Sequence, residues 1–258
     1  MPQDIETLAP ALLTLARQAG AAIMDVYATA FATRSKADHS PVTDADEAAE
    51  AIIVAGLRVL APGLPVVAEE MAARGDLPKI AGDSFWLVDP LDGTREFVSR
   101  NGEFTVNIAL IRAGRPVLGV VLAPALGGMA WLGTPSGARR FAGPGDREGI
   151  AIHARAMPAE GATVLVSRNH RDPETEGWLR TVKVAAEVAA GSSLKFCRLA
   201  EGAADLYPRF ASISEWDTAA GQAVLEAAGG AVLTWDGAPL AYGKPGFRNP
   251  GYLARGLA

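Results

Sequence analysis

The sequence has a single cysteine, Cys197, which excludes an intramolecular disulfide framework and a cysteine-rich zinc site. Its apolar, helical surroundings point to a buried, inert thiol. The three histidines, His39, His153 and His170, share no metal-ligand spacing, which sets aside histidine-based zinc hydrolysis. A Gly-x-Ser-x-Gly elbow and Walker A glycine spacing are both missing. Basic charge is in deficit. With 24 Lys and Arg against 29 Asp and Glu, the net charge of −5 argues against a nucleic-acid polymer as partner. It leaves a small phosphorylated ligand open, because a bound divalent cation inverts the local field. Long apolar runs are lacking too: Val117–Leu132 is cut by Gly and Pro and is not a membrane span. The first residues, Met1 to Ala11, carry Asp4 and Glu6 and show no basic-then-apolar leader pattern. The cytoplasm is therefore the expected compartment, with peripheral attachment to the inner membrane left open.

What is present describes an ordinary globular chain of 258 residues, 49% hydrophobic and 21% charged, able to bury a core as one large domain or two lobes. Apolar residues Ile5, Leu8, Leu12, Leu15, Ala19, Ile23 and Val26 recur at helical spacing and predict an amphipathic helix over 4–28. After a polar loop, Thr33 to Pro41, Thr43 reads as the N-cap of a second helix that runs to about Leu60 and stops at Pro62-Gly63. Short apolar runs follow at Leu64–Ala68, Phe85–Val88, Thr105–Arg112 and Val117–Leu122, with Ala113 to Pro116 as a hairpin turn. Further on, Thr163–Ser167 and Ala231–Thr234 read as strands, residues 173–203 as helical patches, and Asp217–Ala228 as a small-residue helix. Gly143–Gly149 is the best candidate lobe boundary, dividing the chain into 1–143 and 144–258.

Three acidic segments carry the chemistry. In Trp86 to Phe97 an apolar strand ends at Asp89, and Pro90 and Gly93 force a tight turn that brings Asp92 close to it. Carboxylates held together in a rigid loop suit a hard cation such as Mg²⁺; equally, an Asp-rich turn caps its own backbone. Glu69-Glu70 follows the strand at Leu64–Ala68, and reads as solvated surface unless the two strands are neighbours, when the carboxylates converge at one edge. Asp217 reads either as an N-cap or as a bridge between a metal and an anion at a helix N-terminus. Asp46, three residues after Thr43, fits a capping box. Among the basic residues Lys36, Lys195 and Arg209, each alone reads as a solvated charge, although Gly191-Ser192-Ser193 beside Lys195 suits a phosphate.

Taken in order, Glu69-Glu70, Asp89 to Thr94 and Trp216 to Gly221 resemble the motifs of the inositol monophosphatase superfamily, over nearly the whole chain from Lys36 to Pro250. Asp92 to Phe97 running into Asn101 to Leu110, Gly191 to Phe196, Ala204 to Arg209, and the tail Tyr242 to Pro250 are similar to the bacterial 3′(2′),5′-bisphosphate nucleotidases of the CysQ type. Arg95 stands where those nucleotidases more often carry Lys, a planar fork in place of a point charge. The resemblance implies an α+β fold, the layered α/β/α/β/α sandwich of the inositol monophosphatase and fructose-1,6-bisphosphatase type. It implies two or three Mg²⁺ ions held by Glu69, Asp89, Asp92, Asp217 and the Leu91 backbone carbonyl. Asp46 and Thr94, with Glu69, would activate the attacking water. Gly93 and Thr94 would hold phosphate oxygens, and Gly191, Ser192, Lys195, Arg209 and Asp217 would meet the rest of a small phosphorylated nucleotide. Family members are often dimers. The implied reaction is hydrolysis of the 3′-phosphate of adenosine 3′,5′-bisphosphate or its 5′-phosphosulfate form. A monophosphatase for inositol phosphate or a similar ester, and a non-catalytic binder of metal and phosphometabolite, remain the alternatives.

Overall fold

The structure is a computed structural model that describes residues 4–35, 41–167 and 173–257; Lys36, His39 and His170 lie outside the described residues. The chain begins with α1 (Ile5–Tyr27), a ribbon of β1 (Arg34–Ser35) and β2 (Pro41–Val42), and α2 (Asp44–Leu60). Next come β3 (Val66–Ala68), α3 (Glu69–Ala73), β4 (Ser84–Asp92), α4 (Thr94–Val98), β5 (Thr105–Arg112), β6 (Arg115–Ala123), β7 (Met129–Thr134), β8 (Gly137–Phe141) and β9 (Ile150–Ile152). The remainder supplies β10 (Ala162–Ser167), α5 (Pro173–Leu179), β11 (Val184–Ala190), α6 (Leu194–Ala200), β12 (Leu206–Arg209) and β13 (Ile213–Ser214). It ends with α7 (Trp216–Ala227), β14 (Ala231–Thr234), β15 (Arg248–Asn249) and β16 (Tyr252–Arg255).

Strands β3 to β9 form one seven-stranded sheet in sequence order, antiparallel except for the parallel pair β3–β4. The Gly143–Gly149 segment joins β8 to β9 within this sheet. A five-stranded sheet has the order β11-β10-β12-β16-β14. Helices α1 and α2 cover one face of the large sheet, α7 lies on its other face beside α6, and these two helices also meet the smaller sheet. Leu179 of α5 packs on Val164 and Val166 from outside. The layers run α/β/α/β/α, as the resemblance implied.

The strand residues explain why the runs read as continuously apolar. Trp86, Val88, Ile108, Leu110, Leu118 and Val120 enter the core under α1 and α2, while Phe85, Leu87, Ala109, Ile111 and Val121 enter the core under α7. A sheet buried on both faces needs apolar residues at successive positions. The β5–β6 turn at Ala113-Gly114 has positive φ at both residues (48° and 72°), which matches the right-handed twist of a two-residue hairpin.

Two elements differ from the sequence reading. Val184–Ala190 is a strand where helical patches were expected: its Ala-rich composition favours helix, and parallel pairing with β10 overrides that preference. Helix α7 begins at Trp216 with Glu215 at the N-cap position, so Asp217 sits inside the first turn and does not cap it.

The small residues of α7 let its backbone lie directly on the sheet. A Cβ added at Gly119 would stand 2.6 Å from the Ala220 carbonyl oxygen, and one at Gly133 would stand 2.5 Å from that of Ala223. Overpacking of this kind costs about 1–3 kcal/mol. Gly133→Ala is therefore expected to lower Tm by roughly 2–9 °C in scanning calorimetry. Gly145→Ala, where an added Cβ meets nothing within 4 Å, serves as the neutral control; equal Tm values for the two would remove the close helix–sheet contact.

Candidate functional site

Parallel pairing builds the site. Ala68 is in register with Val88, so the residues that follow, Glu69 and Asp89, leave the same end of neighbouring strands. Asp217 arrives from the first turn of α7, and one carboxylate oxygen from each of Glu69, Asp89 and Asp217 lies within 4.8 Å of the others. The pairing of β4 with β5 is irregular between Asp89 and Asp92, where Pro90 sits. The Asp89 carboxylate accepts the Leu91 N–H at 3.0 Å, so the self-capping turn exists alongside the cluster. Gly93 follows with φ 91°, a conformation glycine adopts without penalty, and starts α4.

Asp46 serves two partners at once. Its Oδ2 accepts the Thr43 N–H (2.8 Å) as the capping box requires and also the Thr43 hydroxyl (2.7 Å), while its Oδ1 accepts the Thr94 hydroxyl at 3.3 Å. The same hydroxyl lies 3.4 Å from the Leu91 carbonyl oxygen.

A cavity of about 310 Å³ is lined in part by Glu69, Asp89, Leu91, Asp92, Gly93, Thr94, Arg95 and Asp217; Asp46 stands behind it, joined to the lining through Thr94. Gly191, Ser192, Lys195 and Arg209 line the same cavity, together with Tyr207 and Tyr252. Ser192 holds a positive φ of 42°, unusual for a residue with a side chain. Its hydroxyl, the Arg209 Nε–H and the Tyr252 hydroxyl are buried with no hydrogen-bond partner among the described residues. Lys195 donates to the carbonyls of Ala190 (3.1 Å) and Ser192 (2.7 Å), and the Gly191 N–H is taken by Glu103 at 2.8 Å. Gly191 thus shapes the cavity wall with its backbone donor already engaged.

Several participants lay outside the sequence reading. Asn107 is an amide in the middle of an apolar strand, and that contrast was its signal. Ser193 belongs to the Gly191-Ser192-Ser193 turn, and its contacts with Asp92 and Asp217 come from tertiary packing. Tyr207 precedes Arg209 by two residues on β12 and so shares its face, whereas Tyr252 reaches the cavity through the β12–β16 register, which sets it opposite Arg209.

Residues 4–256 match the sequence model of the inositol monophosphatase family. The chain belongs to the inositol monophosphatase family. It is 47% identical over 248 residues to the 3′(2′),5′-bisphosphate nucleotidase CysQ of Escherichia coli strain K12, an alignment that spans 92% of this chain and 95% of that one. A CysQ of Haemophilus influenzae is 30% identical over 93% of this chain and 88% of its own. The crystal structure of CysQ from Bacteroides thetaiotaomicron superposes with a TM-score of 0.80 at 36% identity, covering 98% of both chains. An inositol monophosphatase from Anabaena superposes at 0.77 with 26% identity, covering 99% of this chain and 92% of its own.

The acidic cluster of this family member could hold a metal ion. Burial, then the negative charges of Glu69, Asp92 and Asp217, push the Asp89 carboxyl well above the usual range. Burial, then Asp92 and Glu69, do the same to Asp217, and Arg209 only partly offsets them. Asp92 is raised by burial in spite of Lys195 and Ser193, which favour its charged form. Hard oxygen donors crowded in this way suit a divalent metal. Because the folded pKa values lie above the unfolded ones, the metal-free protein owes stability to these groups below the ordinary value of 3.8 and loses it as pH rises through the raised values. The rise in Tm on replacing EDTA with Mg²⁺ is accordingly expected to grow from about pH 4.5 to about pH 7.5. A gain that does not change with pH in scanning calorimetry would contradict the cluster.

Proposed function

We propose that this chain is a Mg²⁺-dependent phosphomonoesterase that hydrolyses the 3′-phosphate of adenosine 3′,5′-bisphosphate to AMP and phosphate, with the 5′-phosphosulfate form as the related substrate. The observation that carries this reading is a single cavity lined by both acidic and basic side chains. Glu69, Asp89 and Asp217 converge in it, and Lys195, Arg209 and the Ser192 hydroxyl share its lining. Such a cavity fits a ligand carrying two separated anionic groups, one met through a metal and one met directly by the protein. At about 310 Å³ the space suits a small metabolite. The 47% identity to an enzyme named for this activity supports the same substrate.

Glu69, Asp89, Asp92, Asp217 and the Leu91 carbonyl would hold Mg²⁺. Bound there, Mg²⁺ supplies positive charge that neutralises the phosphate and makes water acidic near neutral pH. The Thr94 hydroxyl, hydrogen-bonded to Asp46, orients the attacking water, and Asp46 takes up its proton through that hydroxyl. Backbone N–H groups of Gly93 and Thr94 meet the phosphate oxygens at the start of the turn. Arg209, from the same lining, offers a planar fork to the second phosphate. Lys195 adds charge there while keeping the Ala190–Ser192 carbonyls in place.

A phosphate-release panel tests the reading. Adenosine 3′,5′-bisphosphate is expected to turn over in Mg²⁺ and not in EDTA, and faster than inositol 1-phosphate; the reverse preference would make this chain an inositol phosphatase. Asp89→Asn should reduce Mg²⁺-dependent release at least about a hundredfold with unchanged circular dichroism. Arg209→Ala should raise KM for the bisphosphate by about tenfold and leave KM for a nucleoside monophosphate nearly unaltered. Equal effects on both would take Arg209 out of the second-phosphate role.

A further inference from the structure

Behind the acidic cluster lies a chain of buried hydrogen bonds among residues to which the proposed reaction gives no role. The Thr105 hydroxyl donates to Asn107 Oδ1 at 3.2 Å, and Asn107 Nδ2 donates to the Ser193 hydroxyl at 2.9 Å. The Ser193 hydroxyl in turn lies 3.0 Å from Asp92 Oδ2 and 2.9 Å from the Asp217 backbone carbonyl. Thr105, Asn107 and Ser193 are 0%, 1% and 1% exposed, so water does not compete for these bonds.

Direction is built into this chain. Asp92 Oδ2, which only accepts, marks the nearer end of the Asn107 amide as the NH₂, so the amide oxygen faces the Thr105 hydroxyl. The Ser193 hydroxyl accepts from that NH₂, and its one proton is shared between two groups that only accept, Asp92 Oδ2 and the Asp217 carbonyl. Asn107 Nδ2 also stands 3.4 Å from Asp92 Oδ2, so both donors converge on the same carboxylate oxygen. The three residues come from two separate regions of the chain, β5 and the turn before α6, and they reach carboxylate-bearing residues on β4 and α7. One buried hydroxyl thereby ties the two halves of the acidic cluster together.

We infer that Ser193 and Asn107 are positioning residues of the metal site: they commit Asp92 Oδ2 to the protein, fix the plane of that carboxylate, and hold its spacing to Asp217. The inference rests on the metal role proposed above for Asp92 and Asp217. Neither residue borders the cavity, so both act through the carboxylates and not on the substrate. A purely structural role would lower Tm alone. A positioning role also changes metal affinity, because a carboxylate released from its anchor must be reordered whenever a cation binds.

The test measures Mg²⁺ binding by isothermal titration calorimetry alongside Mg²⁺-dependent phosphate release. Ser193→Ala is expected to weaken Mg²⁺ binding about tenfold, the loss of one charge-assisted hydrogen bond, and to lower kcat with little change in substrate KM at saturating Mg²⁺. Ser193→Thr, which keeps the hydroxyl, should recover most of the affinity. Mg²⁺ affinity in Ser193→Ala equal to that of the unaltered protein overturns the inference whatever happens to Tm. Should Ser193→Ala not fold, Thr105→Val at the far end of the chain takes its place. Weakening of at least about twofold then supports the inference, and none overturns it. An unaltered protein that binds no Mg²⁺ and releases no phosphate would defeat the metal reading itself, and that result is visible before any variant is compared.

Discussion

Like charges held at the ends of two parallel strands are the constraint on which the rest of this structure depends. Two unit charges about 4 Å apart repel by roughly 4 kcal/mol at an effective dielectric near 20, more than a single hydrogen bond contributes net. Glu69, Asp89 and Asp217, with oxygens within 4.8 Å of one another, can stay together only if each is carried on an element that will not yield. Asp89 follows Val88, the last residue of β4 paired with β3, and is itself paired with Asn107 of β5. Glu69 opens α3, whose first turn is pinned by the buried Glu50 carboxylate through the N–H groups of Glu70 (2.8 Å) and Met71 (3.2 Å) and through Arg74 (2.7 Å). Asp217 belongs to α7, and the N-cap residue Glu215 is buried against Lys244 at 2.6 Å and the N–H groups of Gly243 and Lys244.

The demand for a rigid α7 explains features far from the cavity. Its small side chains and the facing Gly119 and Gly133 bring helix and sheet backbones into contact, which leaves the helix little room to shift. The tail between Tyr242 and Asn249 then closes over its other flank. Asn249 donates to the Thr218 hydroxyl at 2.7 Å, which lies 3.1 Å from the Tyr242 hydroxyl, and Tyr242 donates to Gln222 at 2.7 Å. These tail residues took part in the sequence resemblance, and none of them lines the cavity. Their contacts are with the helix that carries Asp217.

Much of this was legible beforehand because local rules and the tertiary structure agree. The helix spacing of α1, the Thr43 cap and the Thr105–Arg112 strand depend on periodicity and short-range hydrogen bonds, and the structure reproduces them. The condition placed on Glu69, that its strand should neighbour the one ending at Asp89, is met by the β3–β4 pairing. What stayed hidden needed long-range register or three-dimensional packing. Tyr252 reaches the cavity only because β16 pairs with β12, and Val184–Ala190 becomes a strand only because β10 lies beside it. Glu103 closes the same gap from another direction, reaching across from the loop before β5 to the Gly191 N–H.

Asp46, Asp89 and Asp92 show why a capping reading and a functional reading need not compete. Each has one oxygen tied to a nearby donor: Asp46 Oδ2 to the Thr43 N–H, Asp89 Oδ1 to the Leu91 N–H, Asp92 Oδ2 to Ser193. A carboxylate has two oxygens, and fixing one sets the plane in which the other must lie. The side-chain entropy lost in orienting these groups is therefore met when the chain folds, not when a ligand arrives. A solvated carboxylate would have to surrender that freedom at each binding event. For Asp89, the local bond to the Leu91 N–H that makes it look like an ordinary turn residue is thus the same bond that orients it in the acidic cluster.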